Sequence, residues 1–386
     1  MKVILRTLSP IHIGGREQRL SPLEYVISEG RCFIMNEDRL SEDLLKRGKL
    51  TPFLNQVQRE GRHFDLEVFL RRNGLVQSDF LSSNSSYSSG CPVDLRRDLR
   101  PFIRDGFSRP YIPGSAIKGV IRTSLLYVIL DRLHEGRRKQ LLDDFVEGKL
   151  REFKRDPRGQ RGFRWFQERF KQWFAQRLDQ EIFQKFEIRT KQRGYDPHSD
   201  ILRAIKVSDS TPVGKEEATV EEIKIFSVAA RESPKRWSIY AECIPENTDF
   251  QFELKVDQGI LSDFAKMNVD TKFGLSFSAL SEIISNPLEA VRRMTEDLYK
   301  HESEFFRSGM LPPEALQFDQ MPNFRIGWGI GLLGTSVDLL LPEKIRQDLR
   351  NTLFTERGDT PAPKSRRLIV ERKGKIRALG WGNIGH

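Results

Sequence analysis

Tyr111-Ile-Pro-Gly-Ser-Ala-Ile-Lys-Gly-Val-Ile-Arg122 is the stretch on which the reading of this 386-residue chain turns. Pro113-Gly114 makes a turn, Ser115 has the chemistry of an N-cap, and Ile117, Val120, Ile121, Ser124 and Val128 recur at helical spacing. A helix is therefore predicted from Ser115 to about Leu133. Free backbone N–H groups and the positive end of the dipole at a helix start attract phosphate. Lys118 and Arg122, four residues apart, share a face with Ser115 one turn earlier, while Ile117, Val120 and Ile121 take the other side. Gly114, Ser115, Lys118 and Arg122 are thus a candidate phosphate-binding set. A capped helix with a solvated cationic edge is the plainer alternative.

Outward from this helix, the pattern mixes strands and helices. Lys2-Val-Ile-Leu-Arg-Thr-Leu8 alternates and breaks at Ser9-Pro10 and Gly14-Gly15, as a strand running into a loop does. Strand patterns return at Ile201 to Val207, Val220 to Val228, Trp237 to Cys243 and Phe250 to Val256. A helix is predicted around Pro287 to Phe306, and Arg366 to Glu371 with Ile376 to Leu379 reads as a closing hairpin. Residues 82–90 (SSNSSYSSG) have no apolar period and read as an exposed, mobile loop. The absence of a regular βαβα alternation predicts an α+β fold. Length suggests two domains, with a boundary near Pro234 that gives units 1–233 and 234–386.

The chain has 64 Lys plus Arg against 54 Asp plus Glu, a net charge of +10, which favours a polyanionic partner. No uninterrupted apolar run is long enough for a membrane helix, and Val3, Ile4 and Leu5 are too few for a signal-peptide core. Cys32, Cys91 and Cys243 are widely spaced and form no CxxC pair, so a reducing, cytoplasmic setting is expected. Most of the excess charge lies in Arg137 to Tyr195, with 17 Lys or Arg against 9 Asp or Glu, a helical, basic insertion at about 135–195. Its Phe163, Phe166, Phe170 and Phe174 fall on one helical face and read as core, with base stacking as the second reading.

Gly327-Trp-Gly-Ile-Gly-Leu-Leu-Gly334 contains a literal GxGxxG, but it lacks the βαβ context of a dinucleotide site. Gly327, Gly329 and Gly331 instead suit close backbone approach, with Arg325 and Trp328 offering charge and a stacking surface. There is no HExxH, GxSxG or phosphate-loop motif, so an enzyme is not expected. His12 is the one candidate general base, for metal-independent RNA cleavage, and a packed loop histidine is the plainer reading. Asp196-Pro-His198-Ser-Asp200 is read as a polar turn, and no metal or cofactor is expected.

Three segments together carry a family resemblance: Leu8-Ser-Pro-Ile-His-Ile-Gly-Gly15, Ile112 to Arg122, and Phe324-Arg-Ile-Gly-Trp-Gly-Ile-Gly-Leu-Leu-Gly334. They resemble the RAMP superfamily of CRISPR proteins. Leu202-Arg-Ala-Ile-Lys-Val-Ser-Asp-Ser210 and Leu379-Gly-Trp-Gly-Asn-Ile384 add a resemblance to the fifth-subunit family of type III-A Csm effector complexes. The resemblance implies two ferredoxin-like domains of the RNA-recognition type, and a non-catalytic subunit capping the 3′ portion of the CRISPR guide RNA (crRNA). It implies roles in crRNA maturation and antiviral defence. The implied partners are crRNA, other Csm subunits, especially the repeated backbone RAMP subunit, and host nucleases. That backbone subunit cleaves target RNA with a loop aspartate, whereas Ser21-Pro-Leu-Glu24-Tyr25 here contains none. With no RNP1 sequence, base stacking on sheet aromatics is not expected. The implied RNA contacts are Gly114, Ser115, Lys118, Arg122, His12, Arg325, Gly327, Trp328, Gly329 and Gly331. A His12-dependent endoribonuclease, a subunit of the related Cmr complex, and a purely structural subunit meeting acidic proteins are the alternatives.

Overall fold

The computed structural model describes residues 1–15, 19–155, 174, 176–187, 197–228, 238–354, 359–372 and 374–385. In chain order its strands are β1 (Lys2–Thr7), β2 (Tyr25–Ser28), β3 (Arg31–Met35), β4 (Ser85–Gly90), β5 (Leu99–Arg100), β6 (Ile205–Val207) and β7 (Thr219–Ser227). After these come β8 (Ile239–Cys243), β9 (Asp249–Val256), β10 (Phe324–Arg325), β11 (Ser365–Val370), β12 (Ile376–Arg377) and β13 (Trp381–Gly385). The fold is α+β, as the unalternating pattern predicted.

One sheet has the order β10-β13-β1-β9-β6, and every pairing in it is antiparallel. Alternation builds it: Val3, Leu5 and Thr7 of β1 face inward, as do Phe250, Phe252 and Leu254 of β9. Two helices cover the inward face, Gly114–Asp131 through Ile117, Ile121 and Leu125, and Pro287–Phe305 through Val291 and Met294. Each such apolar side chain stabilises the fold by about 1.5–3 kcal/mol on burial, so the helix that carries the candidate phosphate set is anchored by its apolar face.

The second sheet has the order β12-β11-β7-β4-β3-β2, with β8 beside β7 and β5 beside β8. Leu40, Leu44, Phe69 and Leu70 from two helices, Glu37–Lys46 and Leu66–Arg72, pack on Val26 and Phe33 of this sheet. Position 233/234, where a boundary was expected, falls in the undescribed stretch 229–237, and each sheet takes strands from both sides of it.

The Ser-rich stretch is a correction to the sequence reading. Residues 78–84 are helical and Ser85–Gly90 is β4, antiparallel to β3 and parallel to β7 in the interior of the sheet. Its serines answer buried polar groups instead of apolar ones. Ser89 Oγ donates to Oε1 of Glu242 at 2.5 Å, and Glu242 is fully buried. The same carboxylate accepts from the Phe102 N–H at 2.8 Å and from Arg104 at 3.2 Å, and the Arg104 guanidinium lies 3.6 Å from the centre of the Tyr87 ring.

Glu242 also sets the seam between the sheets. Its backbone carbonyl accepts from Nδ1 of His12 at 2.7 Å, and the His12 carbonyl in turn accepts from the Trp328 N–H at 2.8 Å. The His12 ring meets Phe102 and Trp328 edge-on, with centroids 6.2 and 5.7 Å away. Burial, opposed by the bond to Glu242 and reinforced by Arg100, lowers the His12 pKa to about 4.

That depression makes stability depend on pH. The unfolded chain takes up the His12 proton near 6.5 and the folded chain only near 4, so the contribution is fully present above 6.5 and is lost as pH falls from 6.5 to 4. The expected loss is about 3 kcal/mol. Urea unfolding at pH 7.5 and pH 4.5 should show His12→Asn less pH-dependent than the parent by that amount. Equal pH dependence in the two chains would sink the assignment.

Candidate nucleic-acid interface

Two of the three resembling segments, far apart in sequence, meet in space together with the chain around Leu379 to Ile384. β1 pairs with β13, and β13 with β10, so Leu8 to Gly15, Phe324 to Gly334 and Leu379 to Ile384 converge. Gly380 donates to the Pro10 carbonyl at 3.0 Å and accepts from the Ile326 N–H at 2.8 Å. Gly327, at φ 108°, lies so close to this crossing that a Cβ there would stand 2.6 Å from the His12 carbonyl oxygen. Gly329 and Gly331 also have positive φ, 91° and 84°, while Trp328 and Ile330 between them do not. The glycine stretch is thus a left-right alternating loop pressed onto the end of the first strand, with no βαβ unit around it.

Trp328 is presented by that loop as a half-buried ring between two cations. The guanidinium of Arg100 lies 4.6 Å from the ring centroid and that of Arg367 lies 5.0 Å from it. Cation–π attraction holds both side chains against the indole. Arg367 has no carboxylate partner among the described residues, and burial alone lowers its pKa. Gly14 lies beside this patch, bridged to Phe102, so Gly14-Gly15, Arg100, Trp328 and Arg367 form one cationic, aromatic surface. Sequence reasoning found Trp328 and the glycines here. It missed Arg100 and Arg367, which stand in a polar stretch and in a predicted hairpin, with nothing local to mark them.

The Gly114 to Arg122 set is arranged differently from expectation. The helix begins at Gly114 with Pro113 in the N-cap position, so Ser115 does not cap it but lies exposed in its first turn. The chain supplies the anion at this helix start: Oδ1 of Asp209 accepts from the Gly114 N–H at 2.7 Å. The approach demands glycine, because a Cβ at 114 would stand 2.6 Å from the Ser208 carbonyl oxygen. Lys118 Nζ donates to the Ile205 carbonyl at 2.8 Å, and burial lowers its pKa. Arg122 meets two carboxylates, Asp179 and Asp200, each at 2.7 Å, with the Phe183 ring 5.1 Å away. Lys118 and Arg122 are therefore engaged inside the fold, and Ser115 is the exposed member of the set.

Arg122 and Thr123 nonetheless border a groove of about 310 Å³ whose other side is Thr335 to Asp338, directly downstream of the glycine loop. Phe174 lines the same groove and stacks on Phe145 at 6.0 Å, so among the described residues of the aromatic stripe the core reading holds. Phe163, Phe166 and Phe170 lie outside the described residues.

Two other candidates are interior. Arg325, on β10, is buried with its guanidinium 4.1 Å from the Trp381 ring, and burial brings its pKa down to about 10, still charged at neutral pH. His12, 1% exposed, supports the glycine loop from beneath. Asp200, in the polar turn, accepts from the Leu202 N–H and pairs with Arg122, while Asp196 lies outside the described residues. Glu24, in the loop that lacks an aspartate, accepts from the Ser21 N–H and hydroxyl at 2.8 and 2.9 Å.

Comparison with known proteins sets these features in a family. Residues 4–310 match the RAMP superfamily profile. Among curated relatives, the Csm5 protein of Streptococcus thermophilus is 24% identical over 265 residues, 66% of this chain and 63% of that protein. Csm5 of Enterococcus italicus is 29% identical over 147 residues, 32% of this chain and 42% of that protein. The chain thus spans between two fifths and two thirds of the length of these relatives. Among solved structures, a chain from a Csm–crRNA–target RNA ternary complex of a type III-A CRISPR–Cas system superposes with a TM-score of 0.65 at 23% identity, covering all of both chains. Csm5 of T. onnurineus superposes with a TM-score of 0.64 at 22% identity over 98% of this chain and 99% of that one. The shared fold makes the two sheets and their helices ferredoxin-like units. With a superfamily profile running through four fifths of its residues, this chain belongs to the RAMP superfamily.

Proposed function

We propose that this chain is a non-catalytic, RNA-binding subunit of a type III-A Csm complex. It would hold the 3′ portion of crRNA and contribute to crRNA maturation and antiviral defence. The observation that carries the reading is the full-length likeness to a chain from a Csm–crRNA–target RNA complex. The patch of Arg100, Trp328 and Arg367 on the glycine loop supports it with suitable chemistry, because a stacked cation and an indole serve phosphate and base together. RNA would pass from Gly14-Gly15 over Trp328 and Arg367, with Gly327, Gly329 and Gly331 allowing its backbone close. On this reading, Ser115 and the groove beside Arg122 would take a further stretch of the RNA, while His12 and Arg325 hold the glycine loop from within. Other Csm subunits and crRNA are the proposed partners, with host nucleases recruited for 3′ trimming.

In the assembled complex, Arg367→Glu is expected to weaken crRNA binding about tenfold and to flatten the plot of log affinity against log salt by roughly 0.7, the value for one phosphate on a single strand. Lys118→Gln, whose ammonium is spent on the Ile205 carbonyl, should leave affinity within about twofold. Filter binding across a salt series reads both. An unchanged slope for Arg367→Glu would remove the patch from the RNA path.

The non-catalytic part is tested separately. A buried imidazole with a pKa of about 4 is a poor general base at neutral pH. Precursor RNA incubated with the purified complex in chelator should stay intact over hours. Cleavage that disappears with His12→Ala would overturn this reading in favour of a metal-independent endoribonuclease.

A further inference from the structure

Beneath the glycine loop is a partly enclosed cavity of about 90 Å³, lined by Arg325, Arg366, Arg367 and Glu302, by Gly329 to Gly331, and on its remaining sides by apolar side chains that include Phe306 and Leu368. Its charges do not balance. The single carboxylate, Glu302, is bound bidentately by Arg366 at 2.6 and 2.7 Å, both side chains being almost wholly buried. Among the described residues neither Arg325 nor Arg367 makes an ion pair, although the Glu302 charge also acts on Arg325, and the Nε of each is buried without any hydrogen-bond partner. A guanidinium remains charged inside a protein, so two unpaired ones beside one void call for negative charge or for several waters. Above them Gly329 and Gly331 take positive φ and Ile330 does not, the kind of alternation from which anion-binding backbone nests are built.

We infer that this cavity is a binding site for one small tetrahedral oxyanion of the phosphate class, held by the guanidinium groups of Arg325 and Arg367 and roofed by Gly329 to Gly331. The volume suits it, giving room for a few waters or for one such ion. The ion comes either as free inorganic phosphate or as a terminal phosphate carried by RNA. The site does not rest on the RNA-binding reading, because free phosphate alone tests it.

The experiment uses the full chain and inorganic phosphate, exchanged for chloride at fixed ionic strength. Phosphate should raise the thermal midpoint in a saturable way, as a ligand of the folded state does, and give a one-site isotherm in calorimetry. Arg325→Met should abolish both effects. Arg367→Ala, at a half-exposed position, should weaken phosphate binding about tenfold even if Arg325→Met fails to fold. A midpoint no higher in phosphate than in chloride, or a response to phosphate in Arg367→Ala equal to that of the parent, overturns the site.

Two RNAs that differ only in a terminal phosphate or hydroxyl then separate the sources. If the phosphorylated RNA binds more tightly and silences the inorganic phosphate titration, the ion arrives on RNA. If both bind alike and the titration survives saturating RNA, the ion is free. Either pattern upholds the site. Absence of RNA binding alongside a positive phosphate titration counts against the proposed function alone.

Discussion

The buried carboxylate of Glu242 is the constraint from which the rest of the structure follows. An ionised carboxylate removed from water is costly unless it is paired and hydrogen-bonded. Here it has Ser89, the Phe102 amide and Arg104 around it. Those bonds draw β4, the segment after β5, and β8 to one point. The other side of the same residue, its backbone carbonyl, fixes His12, and His12 fixes Trp328. One residue thereby ties the interior of the larger sheet to the exposed loop, and the loop inherits its position from the core. Loss of any single partner would leave charge or polar atoms stranded, which costs more than the loss of an apolar contact of similar size.

This hub also explains what was legible from sequence. β1, β9, the helix over Gly114–Asp131 and the helix over Pro287–Phe305 follow from alternation or helical spacing, and all were read within a few residues. β4 was not, because a strand whose side chains answer a buried Glu and Arg has no hydrophobic period to detect. The partners that explain it, Arg104 and Glu242, are 15 and 153 residues from Ser89. The candidate surface divides in the same way. The glycine loop and Trp328 announce themselves, since glycine at positive φ and an aromatic on a loop are unusual. Arg100 and Arg367 are two among 64 basic residues, and only the fold brings them to the same indole.

Charge in this chain is therefore a matter of what lies opposite each cation more than of totals. Arg122, Arg366 and Arg104 are all met by carboxylates, and the Gly114 helix start by Asp209. Reading cationic residues off a helix face marked Lys118 and Arg122, both of which the folded chain consumes. The cations left for an external anion are the ones placed where the chain supplies no acid, and an intramolecular acid is invisible to local spacing. Neutral pairs cancel at a distance, so the field beyond the surface comes from this unmatched minority.

The neighbours of β1 carry a consequence for how the chain comes into being. Lys2 to Thr7 pairs with Asp249–Val256 and Trp381–Gly385, both more than 240 residues later in the chain. At a synthesis rate of about 5–20 residues per second, roughly 12 s or more pass before the first of those partners exists, and longer before the second. Until then the first strand is an unpaired edge with exposed Val3 and Leu5, the kind of segment that invites premature association. β13 completes the sheet beside β1, and Gly380 just before it bonds Ile326 and Pro10 at the glycine loop. The loop surface is therefore finished only once β1 and β13 have paired.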